Sequence, residues 1–113
     1  MALIYKIVPA SLWRQAEAKG VFDGASVDHA DGFIHFSTAA QVRETAARHF
    51  AGQQDLLLVA VRSEALGDLR HEPSRGGDLF PHLYGPLPLS SVDSVMALTL
   101  GPDGVHLFPD LTA

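Results

Sequence analysis

The spacing of apolar positions changes along the chain, and these changes predict the order of its elements. Residues 3–8 are mostly apolar, with β-branched and aromatic side chains, which predicts a first strand that ends at Pro9. Residues 10–19 predict a helix, because their apolar side chains recur on one face and Gly20 is suited to end it. The polar, glycine-containing residues 21–32 predict a loop.

A second helix is predicted after a short strand at residues 33–36. Thr38 is suited to cap this helix, and Gln41 follows three residues later, as in a capping box. Apolar residues four apart, beginning at Val42, then form one buried face. Gly52 is expected to end the helix.

The remainder of the chain favours strands. The continuous apolar run at residues 56–61 predicts a strand that is covered on both faces. Further strands are predicted at residues 69–72, 83–87, 92–100 and 105–108. The last two form a hairpin around a Gly-Pro-Asp-Gly turn. Two early helices followed mainly by strands predict an α+β fold.

Composition limits the class of protein. A chain of 113 residues, 47% hydrophobic and 19% charged, is expected to form a single globular domain. The absence of cysteine excludes disulfides and thiolate metal sites, which suits a cytoplasmic location. A formal charge of −5 disfavours generic binding to nucleic acid or to anionic membranes. The apolar runs are too short to span a bilayer, and nothing indicates an oligomeric state.

Residues 35–38 form the first candidate site. His35 and Ser37 share one face of the predicted strand, because side chains alternate along a strand. Ser37 and Thr38 stand where the strand meets the helix, and the free N–H groups of a helix N-terminus attract an anionic or carbonyl oxygen. Alternatively, the two hydroxyls only cap the helix and His35 is a hydrogen-bonded core residue.

The second candidate site is a charged strand followed by a glycine loop. Arg70 and Glu72 share a face if their segment is extended, and Glu72 is suited to act as a general base or to hold a ribose hydroxyl. Arg75 could bind a phosphate through its planar guanidinium. Gly76 and Gly77 let backbone N–H groups approach a ligand. The alternative is a solvated turn with surface charges.

The third candidate site lies between Pro81 and Pro86. His82 and Tyr84 are two residues apart, so they share a face and combine hydrogen bonding with stacking on a flat ring. The alternative is an edge strand in which the Tyr84 hydroxyl reaches the backbone. We expect His35 and His82 to form two walls of one pocket.

Other chemistries have weaker support. Two sets of side chains could converge on a cation, His29, Asp31 and His35 or His35, Glu72 and His82, but the histidine spacing matches no stereotyped metal motif and no metal is expected. The sequence has no G-x-S-x-G elbow, Walker A loop or G-x-G-x-x-G fingerprint. Serine hydrolases and P-loop or Rossmann nucleotide binding are therefore disfavoured.

Long motifs carry a resemblance to a known family. They are D-G-F-I-H-F-S-T at residues 31–38, D-L-L-L-V-A-V at 55–61, and an E-x-x-x-G-G-D-L-F-P-H-L-Y-G-P-L segment at 72–87. By these motifs the chain is identified as a member of domain-of-unknown-function family 952, over residues 4–108. That family has no established activity. It is grouped by fold resemblance with the ADP-ribosyltransferases, nearest the RNA 2′-phosphotransferases.

This resemblance implies a fold and a cofactor. The ADP-ribosyltransferases have a split α+β fold and bind NAD in a cleft between two small sheets. The resemblance thus implies two early helices packed on a split, mostly antiparallel sheet. Residues 34–37 resemble the V-H-L-S-like strand of the 2′-phosphotransferases, so His35 is expected to bond a ribose of NAD. By our own placement, His82 and Tyr84 border the nicotinamide end, with Tyr84 stacked on the ring.

Three functional hypotheses follow. The first is an enzyme acting on NAD or another ADP-ribose compound, with Glu72, His35 and His82 as catalytic residues. The second is a non-catalytic protein that binds a nucleotide or another small molecule. Lys6 favours the second, because the 2′-phosphotransferases carry a histidine near this position of their first strand. The third is a protein-interaction module with a surface patch formed by Phe80, Leu83 and Tyr84.

Overall fold

A computed structural model describes residues 2–112, apart from the side chain of Arg75. Nine strands and three α-helices alternate irregularly along the chain. In chain order they are β1 (Leu3–Pro9), α1 (Ala10–Lys19), β2 (Val21–Phe22), α2 (Ser26–Asp31), β3 (Ile34–His35), α3 (Val42–His49), β4 (Leu56–Arg62), β5 (Leu69–Pro73), β6 (Leu79–Leu83), β7 (Leu87–Pro88), β8 (Val92–Leu100) and β9 (His106–Leu107).

The strands form three antiparallel sheets. The largest has four strands in the order β1-β4-β8-β9, and the second has three strands in the order β3-β6-β5. The third sheet pairs only β2 with β7. The small α+β domain and its mostly antiparallel pairing agree with the prediction from the sequence.

Strands β1 and β4 of the four-stranded sheet are buried on both faces, as the continuous apolar run predicted for β4. Alternate residues of β1 and β4 enter two separate clusters. The cluster that contains Ile4, Val8 and Val59 also includes Trp13 of α1 and Ile34 of β3. The opposite cluster joins the sheet to α3 and includes Leu3, Tyr5, Ile7, Val42, Ala46 and Leu58. The three-stranded sheet therefore lies on one side of the central sheet and α3 lies on the other.

A backbone bridge joins the two larger sheets. Tyr5 and Ser37 exchange two N–H···O bonds of 2.8 Å just beyond the end of β3. This bridge brings His35 next to the middle of β1. The second predicted helix starts later than expected, because residues 39–41 form a turn and α3 begins at Val42 and not at Thr38.

The predicted loop at residues 21–32 is wrong. The structure forms β2 and α2 there, so the chain has three helices in its first half and not two. The only buried residue of α2 is Asp28, so the helix has no apolar stripe that sequence analysis could detect.

Pro81 explains two further errors. The strand predicted at residues 83–87 lies earlier, as β6, and Pro81 is inside it. The carbonyl of Pro81 accepts the N–H of Phe36 at 3.0 Å, but proline has no N–H to return the bond. The ladder therefore stops at the His35–His82 pair, and β3 is shorter than the predicted strand.

The helices formed by residues 2–112 do not combine the length and apolar character that crossing a membrane requires.

Candidate functional site

His35 and His82 lie side by side. They are direct partners in the antiparallel pairing of β3 with β6, and their ring centroids are 5.6 Å apart in an edge-to-face arrangement. Paired residues of neighbouring strands point to the same face of a sheet. The predicted convergence of the two imidazoles is confirmed.

Both histidines line a hollow of about 590 Å³ between β1, the three-stranded sheet and α3. We call it the histidine hollow. Its walls combine aromatic rings with a few polar side chains. The lining residues are Tyr5, Lys6, Ile7, Val27, Asp31, His35, Phe36, Ser37, Thr45, His49, Phe50, Ser74, Phe80 and His82.

His35 is held between two carboxylates. Its Nδ1 lies 2.7 Å from Oδ1 of Asp28, and its Nε2 lies 2.8 Å from Oδ2 of Asp31. Carboxylates only accept hydrogen bonds, so both contacts are hydrogen bonds when each ring nitrogen carries a proton. Asp28 and Asp31 together hold both nitrogens of the His35 ring.

Asp28 is a buried carboxylate with a full set of donors. It accepts hydrogen bonds from the backbone N–H groups of Ala25 and His35, from the His35 ring and from Lys6. Burial by itself raises the pKa of Asp28, but the His35 hydrogen bond, the Lys6 charge and the two backbone bonds outweigh it and lower the pKa to about 2. Asp28 is therefore ionised at neutral pH.

Lys6 completes this buried charge cluster. Its Nζ lies 3.1 Å from Oδ2 of Asp28 and donates to the carbonyl oxygen of His35 at 2.9 Å. Burial lowers the pKa of Lys6, and the carboxylate of Asp28 opposes this effect. Lys6 thus fixes both the backbone of His35 and the carboxylate that orients the His35 ring.

His82 is oriented by Glu72. Its Nδ1 donates to Oε1 of Glu72 at 2.8 Å, and the Tyr84 hydroxyl donates to the same oxygen at 2.7 Å. The bond from Tyr84, followed by the bond from His82, lowers the pKa of Glu72, while the bond to Glu72 raises the pKa of Tyr84. With Nδ1 committed as a donor, neutral His82 presents Nε2 as a hydrogen-bond acceptor.

Two further side chains pack this face of the sheet. The Phe33 ring stacks on His82 with centroids 4.0 Å apart. The guanidinium of Arg70 lies 4.3 Å from the centre of the Tyr84 ring and bonds to the carboxylate of Asp68. That hydrogen bond raises the pKa of Arg70. Arg70 and Glu72 share a face, as predicted, but Arg70 does not line the hollow.

Of the two hydroxyl residues predicted to bind a ligand, only one lines the histidine hollow. Ser37 lines the histidine hollow and shares a hydrogen bond with Thr45. Thr38 does not line it, and its N–H donates to Oε1 of Gln41. Since α3 begins four residues later, the predicted helix N-terminus is not adjacent to these hydroxyls.

The glycine loop also differs from its prediction. Gly76 and Gly77 are exposed and adopt positive φ angles of 69° and 85°, and the N–H of Gly77 bonds to Ser74. Of this loop, Ser74 lines the hollow and the glycines do not. The predicted phosphate contact of Arg75 lies outside the described side chains.

The predicted interaction patch is wrong. Phe80 and Leu83 are only 7% and 3% exposed, so they do not form a surface with Tyr84. Phe80 instead lines the hollow, and Leu83 enters the core beside β1. The alternative for Tyr84 is also wrong, because its hydroxyl bonds to a carboxylate and not to the backbone.

Asp28 and the role of Phe33 were not predicted from the sequence, and Lys6 was noted only as a departure from a related family. A signal for Asp28 existed. Lys6 is the only charged residue in the apolar segment at residues 3–8, and a buried ammonium needs a carboxylate partner. Within residues 2–112, no group of three or more histidine or acidic side chains is arranged to hold a metal ion.

Comparison with solved structures identifies a similar protein, CC0527 from Caulobacter crescentus. Its crystal structure is 53% identical, with a TM-score of 0.89 and coverage of 93% of each chain. Its solution NMR structure is 54% identical, with a TM-score of 0.84 and coverage of 93% of this chain and 91% of that one. The search of curated proteins gave no match.

A family assignment rests on most of the chain. Residues 7–95 match the family described as Protein of unknown function (DUF952). This stretch includes β1 from Ile7 onward and both histidine-bearing strands. The chain therefore belongs to the DUF952 family, as its long motifs predicted.

Proposed function

We propose that the chain binds a small ribose-bearing ligand, of the NAD and ADP-ribose class, in the histidine hollow. The observation that carries this proposal is the pairing of His35 with His82. Two strands distant in sequence place both imidazoles on one hollow, and a separate carboxylate orients each ring. Such convergent polar groups in a concave apolar site are typical of ligand recognition.

The hydrogen-bonding roles of the two rings are complementary. His35 donates, whereas neutral His82 offers Nε2 as an acceptor. The vicinal hydroxyls of a ribose can each donate and accept, so one hydroxyl suits each imidazole. The expected ribose contact of His35 is retained in this proposal, and His82 becomes its partner.

The apolar walls suit a flat ring. Phe36, Phe50 and Phe80 line the hollow, and its volume lies within the range of roughly 300–1,000 Å³ that is usual for ligand sites. Tyr84 is already covered by Arg70 and bonded to Glu72. We therefore assign stacking on an adenine or nicotinamide ring to these phenylalanines and not to Tyr84.

A ligand titration tests binding. NAD, ADP-ribose and adenosine are added to the wild-type chain, to His82→Gln and to His71→Ala, which changes an exposed histidine that does not line the hollow. A ligand at a hundredfold excess over Kd stabilises the protein by roughly 2.7 kcal/mol. The thermal shift should vanish in His82→Gln and persist in His71→Ala. No shift with any ligand, or equal shifts in all three proteins, contradicts the proposal.

ADP-ribosyl transfer is the second candidate function. The feature that favours it is the Glu72–His82 pair, in which a carboxylate orients a ring nitrogen that can accept a proton. Lys6 favours binding without turnover, because its ammonium is committed to Asp28 and to the His35 carbonyl. Release of nicotinamide from NAD, measured by chromatography and lost in Glu72→Gln, would establish turnover. Binding of NAD without release of nicotinamide would support the first function, ligand binding, and not ADP-ribosyl transfer.

A further inference from the structure

We propose that Asp31 occupies an oxyanion subsite of the histidine hollow, and that a phosphate group of the ligand displaces the Asp31 carboxylate from Nε2 of His35. This inference rests on the proposed function and deepens it, because Nε2 of His35 would bind a phosphate in place of a ribose hydroxyl while His82 keeps its ribose contact. Asp31 and His35 line the same hollow, so the displaced position opens directly onto it.

The groups around His35 leave Nε2 as the atom of the ring that can meet a ligand. Asp28 and Lys6 form a buried ion pair whose opposite charges cancel. Asp28 holds Nδ1 of His35, and Asp31 is the second carboxylate partner of the ring, at Nε2. Without Asp31, Nε2 would face the hollow, and an N–H group at this nitrogen would be free to donate a hydrogen bond to a phosphate oxygen.

The two carboxylates differ in how readily they can leave. The Asp28 side chain is 1% exposed and accepts from four donors. The Asp31 side chain is 48% exposed, and His35 is the one ion-pair partner found for it within residues 2–112. Exposed ion pairs contribute little to stability, so replacing Asp31 at the ring costs little. Asp28 orients the His35 ring, and Asp31 covers Nε2, the nitrogen that would bind the phosphate.

The position of Asp31 allows this exchange. It is the last residue of α2, and Gly32 ends that helix in a left-handed conformation with φ of 84°. A rotation of the exposed side chain uncovers Nε2 without disturbing the buried cluster. Ser74 also lines the hollow, and its hydroxyl offers a further hydrogen-bond donor to a phosphate.

Titration with inorganic phosphate tests the subsite. The histidine side-chain resonances are followed by NMR in the wild-type chain, in Asp31→Asn and in the matched control Asp23→Asn. Asp23 is an exposed acid that pairs with Lys19 and does not line the hollow. Removing the competing carboxylate should tighten phosphate binding about tenfold in Asp31→Asn. Asp23→Asn should bind phosphate as the wild-type chain does.

A second variant tests whether the gain in phosphate affinity depends on His35. In Asp31→Asn combined with His35→Gln, the tighter binding should disappear, and urea unfolding reports whether this double variant is folded. Equal phosphate affinity in the wild-type chain and in Asp31→Asn overturns the subsite without recourse to the double variant. A gain that persists in a folded double variant also overturns it, because phosphate then binds elsewhere.

Titration with ADP-ribose separates the two proposals. If Asp31→Asn gains affinity for phosphate while neither protein binds ADP-ribose or NAD, the subsite stands and the proposed ligand class is wrong. If both proteins bind ADP-ribose with equal affinity, the ligand class stands and the role of Asp31 is overturned. A parallel gain for phosphate and ADP-ribose supports both.

Discussion

The two carboxylate–histidine pairs of this protein are built in opposite ways. In the Asp28–His35 pair the carboxylate is buried and the imidazole is 29% exposed. In the Glu72–His82 pair the imidazole is 5% exposed and the carboxylate 34%. His35, His82 and Glu72 lie on the three adjacent strands of one sheet, and Asp28 reaches His35 from α2.

The difference separates a structural pair from a responsive one. Removing Asp28 leaves the buried ammonium of Lys6, a residue of β1, without its partner. A buried unpaired charge lowers the free energy of unfolding strongly. Removing Glu72 leaves a histidine that can be neutral, so the fold loses much less. We therefore expect stability to depend on Asp28 and the chemistry of the hollow to depend on Glu72.

Asp28→Asn should produce the largest effect. It removes the charge that balances Lys6 while it keeps the shape of the side chain. Breaking a buried ion pair in this way costs about 3–5 kcal/mol. Urea unfolding of the variant and the wild-type chain measures the loss of unfolding free energy.

A double variant is the control for this prediction. Lys6→Met combined with Asp28→Asn removes both charges, and the apolar methionine suits the surroundings of β1. It should recover most of the stability lost in Asp28→Asn. If the double variant is less stable than Asp28→Asn, Lys6 contributes mainly through another contact, such as its bond to the His35 carbonyl.

Acid should weaken the fold through the same residue. The pKa of Asp28 is about 2 in the folded chain against an ordinary value of 3.8. Because the folded value is lower, this contribution is complete above pH 4 and is lost as the pH falls through about 2. The difference corresponds to about 2 kcal/mol. Unfolding free energies at pH 5 and pH 2 measure it, and a carboxyl resonance of Asp28 titrating near 4 would contradict it.

Gly24→Ala should cost less than Asp28→Asn, but more than the roughly 1–2 kcal/mol of backbone strain that a left-handed conformation alone imposes on alanine. Gly24 has a φ of 115°, and an added Cβ would lie 2.9 Å from the Cβ of Asp28. The substitution therefore strains the turn that places Asp28 under His35. Gly20→Ala is a matched control, since Gly20 also has a positive φ but no atom within 4 Å of the added Cβ. Equal losses in urea unfolding would show that the contact with Asp28 does not matter.

Tyr84→Phe should have the smallest effect on stability and a clear effect on Glu72. The Tyr84 hydroxyl is the main cause of the lowered pKa of Glu72. Its removal should raise that pKa towards the ordinary value, while the unfolding midpoint stays close to that of the wild-type chain. NMR titration of the Glu72 carboxyl carbon measures the change. An unchanged pKa would assign the shift to His82.

Elements with a strong local signal were predicted well. Helix α1 and strand β8 have the predicted bounds, and β4 is covered on both faces, because long apolar patterns depend on residues close in sequence. Helix α2 gave no such signal, since a tertiary ion pair and not an apolar stripe holds it. The start of α3 was misplaced because residues 39–41 form a turn between the Tyr5–Ser37 bridge and the helix.

The candidate site shows the same division. His35, His82 and Glu72 were selected because histidines and acids in strand or loop motifs suit binding and catalysis, and the structure brings all three together. Gly76, Gly77 and Thr38 were selected on local geometry alone, and none of them lines the hollow. Neighbouring backbone positions do not determine which way a loop faces across the molecule.

The sequence by itself determined the residue types available for chemistry, the family, and the strands and helices with strong apolar periodicity. Tertiary structure alone decided that His35 pairs with His82, that Asp28 holds Lys6, and that Asp31 covers the remaining nitrogen of His35. The physical reason is the separation along the sequence over which each kind of interaction acts. Periodicity and capping act over a few residues, whereas strand pairing and buried charge compensation join residues that are distant in sequence and meet only when the chain is folded.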